Sequence, residues 1–149
     1  MKKITTGDIE RLALGATLLG TGGGGDPFIG ALMATQAIEE HGPVDVVDAA
    51  DLPPDGLVVC AAIVGAPTVI VERVPAGHEY ATSLRALARH LDRELAAVMP
   101  VEVGGMNTLI PVATAAELGL PLIDADGMGR ASPEIEMTVF TLAGLAASP

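Results

Sequence analysis

Aromatic residues are almost missing from this 149-residue sequence, which has two phenylalanines, one tyrosine and no tryptophan. A hydrophobic core must therefore be built from Ala, Val, Leu, Ile and Met, and the length fits one domain that buries such a core. Cysteine is limited to Cys60. No disulfide can form within the chain, so we expect a reducing, cytoplasmic environment.

Positive charge is scarce as well: eight Lys and Arg stand against 19 Asp and Glu, and the formal net charge is −11. An acidic surface repels phosphate backbones and anionic lipids, so we expect no nucleic acid and no membrane among the partners. No run reaches the roughly 18 uncharged apolar residues of a membrane span, and the polar N-terminus lacks the apolar stretch of a signal peptide.

Glycine and proline, with 18 and 11 residues, fall between apolar runs and mark turns. Apolar residues at helical spacing predict helices, and short runs rich in Val and Ile predict strands covered on both faces. The predicted helices span 7–20, 27–40, 80–98, 107–118 (with Pro111 in its first turn) and 134–145, and the predicted strands span 44–47, 57–64, 69–71, 101–103 and 121–124. This alternation predicts an α/β fold, a three-layer α/β/α sandwich with a mainly parallel sheet and strand 57–64 at its centre.

The most unusual segment is Thr21-Gly22-Gly23-Gly24-Gly25-Asp26-Pro27, because four consecutive glycines cannot form regular structure at a reasonable cost. Asp26 and Pro27 suit the N-cap and the first turn of the next helix. Three interpretations stay open for the glycines: N–H groups that bind an anion, a wall of a substrate pocket, or a structural role as close backbone packing or a flexible turn. The segment follows no strand and lacks the Lys-Ser/Thr of a phosphate-binding loop, so no nucleotide is expected.

Acidic side chains follow two of the predicted strands, where parallel sheets bind their ligands. Glu102 lies between two valines, where an acid is costly unless it is paired; the alternative is an edge strand with Glu102 facing water. Asp124 and Asp126 leave strand 121–124, and the alternative for Asp126 is that it only forms its Asp-Gly turn. On adjacent parallel strands, Glu102 and Asp126 would converge and share a proton or a cation.

Nucleophilic catalysis has little support in the sequence. Cys60 lies in an apolar run with no basic neighbour, which indicates a core residue. No serine occupies a Gly-x-Ser-x-Gly turn. The histidines His41, His78 and His90 lack metal-ligand spacing, and only His78 lies in a loop-like context.

Three segments together resemble a known family. They are Leu-Gly-Thr-Gly-Gly-Gly-Gly-Asp-Pro at 19–27, Pro-Val-Glu-Val-Gly-Gly-Met-Asn at 100–107, and Asp-Ala-Asp-Gly-Met-Gly-Arg-Ala at 124–131, followed by Pro133 and Glu134. In order and spacing they are similar to the N-terminal domain of the S-methyl thiohydantoin desulfurase family, often encoded beside hydantoinase and oxoprolinase subunits. The resemblance implies that residues 1–149 are the N-terminal α/β domain of a longer two-domain protein whose β-rich C-terminal domain is absent from this chain.

The activity that the resemblance implies is metal-assisted hydrolysis of a hydantoin-like or S-methyl thiohydantoin-like ring, a small-molecule substrate. We expect Glu102 and Asp126 to be catalytic and Asp124 and Asp126 to hold a divalent metal, zinc or manganese. The expected substrate-binding residues are Gly22, Gly23, Gly24, Gly25, Gly104, Gly105, Asn107 and Arg130, with the glycine N–H groups holding the developing anion.

The alternative is a non-catalytic assembly or substrate-binding domain that partners a hydantoinase or oxoprolinase subunit. The low number of histidine and serine residues favours this alternative. In either case we expect a homo-oligomer, because apolar residues in the segment 140–145 would otherwise stay uncovered.

Overall fold

A five-stranded sheet organises the computed structural model, which describes residues 2–73 and 75–146 of the chain. The strands are β1 (Lys2–Ile4), β2 (Val44–Val47), β3 (Leu57–Ala61), β4 (Leu95–Pro100) and β5 (Leu122–Ile123). The α-helices of these ranges are α1 (Ile9–Gly20), α2 (Pro27–His41), α3 (Pro67–Glu72), α4 (Glu79–Leu91), α5 (Met106–Leu118) and α6 (Val139–Leu142). The predicted α/β fold class is confirmed.

The strand order is β1-β2-β5-β4-β3, with β1 antiparallel to β2 and the other three pairings parallel. The sheet is therefore mixed: strands β2 to β5 run parallel to one another, and the antiparallel edge strand β1 corrects the prediction of a mainly parallel sheet. The prediction that strand 57–64 is central is also wrong, because β3 lies at an edge. The reason is the path of the chain. After β3, the crossover through α4 places β4 on its inner side, and the crossover through α5 places β5 one position further toward the middle of the sheet.

Helix α5 forms the centre of the hydrophobic core. Every residue from 109 to 116 is buried, and the helix contacts strands β2 to β5 as well as helices α1, α2 and α4. Helix α2 approaches closely because Gly30 leaves room for Leu109: a Cβ added at Gly30 would lie 3.0 Å from Leu109 Cβ. The face of β3 opposite the core is only half-buried at Val58 and Cys60. The third layer of the predicted sandwich stays a prediction.

Several predicted boundaries are confirmed, and the clearest is the start of α2. Asp26 Oδ1 accepts a hydrogen bond from Phe28 N at 2.9 Å, and Pro27 opens the helix. The helix ends at Gly42, whose φ of 98° is costly for other residues. In the described ranges no helix is both long enough and apolar enough to cross a membrane.

Other boundaries are corrected by the structure. The predicted helix 80–98 stops at Leu91, where Asp92 adopts a left-handed φ of 51°, and β4 follows. Segment 101–103 is the loop after β4 and not a strand, while 69–71 belongs to helix α3. Helix 134–145 is reduced to α6, and Pro111 lies in the second turn of α5. The apolar residues of these runs fit both the period of a helix and the period of a strand. Pairing with neighbouring strands therefore decides which of the two structures forms.

Candidate functional site

A cavity of about 560 Å³ opens where the chain leaves β3 and β4. Its walls are the glycine-rich loop, the segment after β3, the start of α5 and the segment 132–138. The carboxyl ends of parallel strands meet at this edge of the sheet, which is the usual position of ligand sites in α/β folds. The cavity therefore lies where the sequence predicted a site.

Glu102 reaches this cavity from the loop after β4 and is 6% exposed. Its Oε1 accepts a hydrogen bond from Asn107 Nδ2 at 2.7 Å, and its Oε2 accepts one from Ser132 N at 2.5 Å. These two donors offset the cost of burying the carboxylate. The alternative of an edge strand with Glu102 facing water is wrong.

Asn107 lies in the first turn of α5 and is buried. Its Oδ1 accepts from Ile63 N at 2.9 Å, and its Nδ2 donates to Ile63 O at 3.2 Å as well as to Glu102. Asn107 and Glu102 thereby connect three segments that are distant in sequence: the exits of β3 and β4 and the loop after β5. Sequence reasoning missed Ile63 and Ser132, since both act through the backbone, which leaves no compositional signal.

The glycine-rich loop packs its carbonyl groups onto the start of α5. Gly24 O accepts from Asn107 N and Gly25 O accepts from Met106 N, both at 3.3 Å. A Cβ added at Gly24 would lie 2.2 Å from Gly104 O, and one at Gly105 would lie 2.2 Å from Gly25 O. Backbone therefore contacts backbone at distances that only glycine permits, which supports the close-packing interpretation.

Some of the N–H groups predicted to hold an anion are engaged within the protein. Gly23 N donates to Gly20 O at 2.8 Å, Gly104 N to Thr108 Oγ1 at 2.7 Å, and Gly105 N to Ala16 O at 2.9 Å. Gly24 and Gly25 do line the cavity, whereas Gly22 and Arg130 are exposed and are not among its described lining residues. Arg130 Nη1 donates to Ala131 O at 2.7 Å.

Asp126 stabilises a turn. Its Oδ2 accepts from Val103 N at 3.0 Å, from Met128 N at 3.2 Å and from Gly129 N at 2.7 Å. It lines a second cavity, of about 540 Å³, which Glu102 does not line. The structure therefore places the Glu102 and Asp126 side chains at two different cavities, although their strands are neighbours as predicted.

The expected metal ligands do not form a metal site. The Asp124 side chain is 70% exposed and lies 3.7 Å from Lys2 Nζ, while Asp126 Oδ2 already accepts three N–H groups. Over residues 2–73 and 75–146, no group of three or more His, Cys, Asp or Glu is arranged to hold an ion. Asp124 and Asp126 by themselves therefore do not supply the several ligands by which proteins hold zinc or manganese, and the metal stays a prediction.

The charge of the first cavity is negative. Asp26, Glu102 and Glu134 line it, and no Lys, Arg or His is among its described lining residues. Tyr80, the only tyrosine, forms part of the wall, and burial together with the charge of Glu79 raises its pKa. Such a cavity disfavours anionic ligands and suits neutral or cationic ones.

The remaining candidate groups lie elsewhere. Burial raises the pKa of the Cys60 thiol to about 11, so the sulfur stays protonated at neutral pH and is a poor nucleophile. His78 Nδ1 lies 3.3 Å from Glu117 Oε1, which also lies 3.6 Å from Arg85 Nη1. His78 thus lies in a polar cluster with Arg85 around Glu117 of α5 and is not among the described lining residues of the first cavity.

Comparison with known proteins agrees with the resemblance found in the sequence. The family model described as S-Me-THD-like, N-terminal domain, matches residues 7–149. The chain belongs to this family. No curated protein matches this chain.

A solved structure is also similar to this S-Me-THD-like domain. It is the X-ray crystal structure of a protein from Chromobacterium violaceum, a structural genomics target, with 31% sequence identity and a TM-score of 0.80. The match covers 97% of the present chain and 40% of that chain. The present chain thus spans about two fifths of the length of the solved relative.

Proposed function

We propose that this domain supplies one wall of the active site of a hydrolase that acts on a hydantoin-like or S-methyl thiohydantoin-like ring, with Glu102 as the catalytic carboxylate. The observation that carries the proposal is the buried Glu102 carboxylate at the cavity of about 560 Å³. A volume of this order suits a small ligand. The family assignment supplies the class of ring.

The chemistry of Glu102 fits this role. An ionised carboxylate has about four lone-pair positions, and Asn107 and Ser132 occupy one on each oxygen. The free positions can accept a ring N–H or a proton from water. In the proposed step, water oxygen adds to the ring carbon that bears the methylthio group, and Glu102 takes one water proton and transfers it to the leaving methanethiolate. The other water proton ends on the ring nitrogen, so C=N becomes an amide.

The charge of the cavity supports a neutral substrate. Glu102 is accompanied by Asp26 and Glu134, and a ring that carries no charge enters such a site without repulsion. The ring-opened acid of a hydantoin is an anion and should bind less well. We therefore expect hydantoin to bind to the chain more tightly than N-carbamoylglycine does.

Calorimetric titration of the full chain with hydantoin and with S-methyl thiohydantoin tests the proposal. Glu102→Gln should weaken ring binding about tenfold or more, because a hydrogen bond to a charged group contributes about 1.5–3 kcal/mol. Glu117→Gln is the matched control, since Glu117 is also largely buried but lies in the His78 cluster. Absence of ring binding by the wild type, or equal binding by both variants, would contradict the proposal.

A second candidate function is that of an assembly domain, and the exposed apolar side chains of the chain favour it. Leu14 and Leu18 on α1 are 73% and 75% exposed, and Phe28 and Leu32 on α2 are 65% and 57% exposed. Each pair has helical i, i+4 spacing, and Leu142 in the segment 140–145 is exposed as well. Association with itself or with a hydantoinase subunit would cover such surface, and sedimentation velocity of the chain, alone and mixed with that subunit, tests this candidate.

A further inference from the structure

We infer that Asn107 is a positioning residue: its side-chain amide holds the two walls of the cavity at a set distance and orients Glu102, and it does not bind the ligand itself. The inference deepens the proposed function and rests on it only for the ring. It assigns Asn107, which lines the cavity, a role different from the substrate contact expected from the sequence.

The hydrogen-bonding capacity of the amide carries the first step. A side-chain amide has two N–H donors, and Asn107 Nδ2 uses one on Glu102 Oε1 and the other on Ile63 O. Its Oδ1 accepts from Ile63 N. The orientation of the amide is determined by these partners, because Ile63 N is a donor and the carboxylate is an acceptor. No donor of Asn107 is left for a ligand.

The position of the partners carries the second step. Ile63 begins one wall, which continues through Val64, Gly65 and Ala66, and Ser132 begins a second wall that includes Glu134. Asn107 binds the first wall directly, and Glu102 binds the second through Ser132 N. One continuous hydrogen-bond network therefore joins the two walls, from Ile63 through Asn107 and Glu102 to Ser132.

The anchoring of Asn107 carries the third step. Asn107 is 4% exposed, and its backbone N–H donates to Gly24 O of the glycine-rich loop at 3.3 Å. Helix α5 is buried on all sides over its middle turns, so the base of the amide cannot shift without disturbing the core. A fixed amide on a fixed helix is well suited to hold Glu102 in one orientation.

Amide hydrogen exchange of Asn107→Asp, measured by NMR on the full chain, tests the inference without any ligand. The new carboxylate oxygen would face Ile63 O and Glu102 Oε1 with no donor, so the network should break. Exchange should rise about tenfold or more at Ile63 and also at Ser132, a change of about 1.4 kcal/mol or more. The hydrogen-bond partners of the Asn107 side chain are Ile63 and Glu102, and Ser132 N donates to Glu102, so a specific rise in exchange at Ser132 indicates that Asn107 acts through Glu102.

Thr114→Val is the matched control, because Thr114 is a buried residue of the same helix whose hydroxyl donates to Ile110 O, away from the cavity. It should not raise exchange at Ser132 above the change seen across the domain. Equal exchange at Ser132 in Asn107→Asp and Thr114→Val would overturn the inference. If Asn107→Asp does not fold, Glu102→Leu, which removes both carboxylate acceptors, probes the network from its other end: exchange must rise at Ile63, and unchanged exchange there is the overturning result.

Ring binding completes the test. Asn107→Asp should weaken hydantoin binding about as much as Glu102→Gln does, and the double variant should be no weaker than either, because both changes remove the same oriented carboxylate. If the losses of binding free energy in the two single variants add up in the double variant, Asn107 makes a separate contact with the ring, and the inference is overturned. A wild type that binds no ring would refute the proposed function, and the exchange at Ser132 would then decide the role of Asn107.

Discussion

The glycine-rich loop offers a sharp test of why four glycines occur together, through the pair Gly24→Ala and Gly22→Ala. Both glycines have a left-handed φ, +77° at Gly24 and +97° at Gly22. An alanine at either position costs about 1–2 kcal/mol for that conformation alone. The surroundings differ: a Cβ at Gly24 would lie 2.2 Å from Gly104 O, whereas one at Gly22 would meet nothing within 4 Å.

The overlap at Gly24 cannot be relieved by a side-chain rotation, because the obstructing atom belongs to the backbone. Forcing extra atoms into a packed site typically costs about 1–3 kcal/mol, so Gly24→Ala should be less stable than Gly22→Ala by that amount. For a chain of this size, this corresponds to a Tm lower by roughly 2–12 °C.

Urea and thermal unfolding followed by circular dichroism measure this difference directly. Gly22→Ala serves as the control for the conformational cost, so only the difference between the variants counts. A difference below about 0.5 kcal/mol, the usual range of surface substitutions, would refute the close-packing argument. The interpretation of the loop as an anion-binding or merely flexible segment would then be preferred.

Two further predictions concern acidic side chains that stabilise turns. Asp126→Ala should lower the free energy of unfolding by about 2 kcal/mol, since three backbone N–H groups lose their acceptor, whereas Asp126→Asn keeps an acceptor and should cost less; equal losses in urea unfolding would contradict this. Hydrogen bonds from the Thr5 hydroxyl, the Thr5 N–H and Arg11 lower the pKa of Asp8 to about 2. Because the folded-state pKa of Asp8 lies below its ordinary value of 3.8, the stabilisation is present above about pH 4 and is lost as the pH falls through about 2. Asp8→Asn should therefore lower Tm at pH 6 but hardly at pH 2, and a pH-independent difference would argue against it.

Local signals in the sequence were sufficient for several elements. Helices α1 and α2 and strand β2 follow from the spacing of apolar residues and from the glycines and prolines between them. The cap formed by Asp26 follows from residues that are adjacent in the chain. The composition alone excluded a tryptophan-rich or disulfide-linked core. In each of these cases the interacting groups are close in sequence, so a short window contains the whole interaction.

Long-range pairing decided the rest. Residues 95–98 extend the apolar stripe of α4, yet they form β4 because hydrogen bonds to β3 and β5 are available there. The sequence identified Glu102 and Asn107 as candidates, but not that they bind each other and two backbone segments. The backbone partners lie 44 residues from Asn107 and 30 residues from Glu102.

Tertiary structure also separates Glu102 from Asp126, two acidic residues that the sequence predicted to converge. Neighbouring strands bring the exits of β4 and β5 close, as expected, but the direction of each side chain depends on the turn that follows the strand. The turn after β5 directs Asp126 Oδ2 to Val103 N, while Glu102 points to the other cavity. Residue type and spacing determined which groups are available for chemistry, and only tertiary packing decided which of them share a cavity.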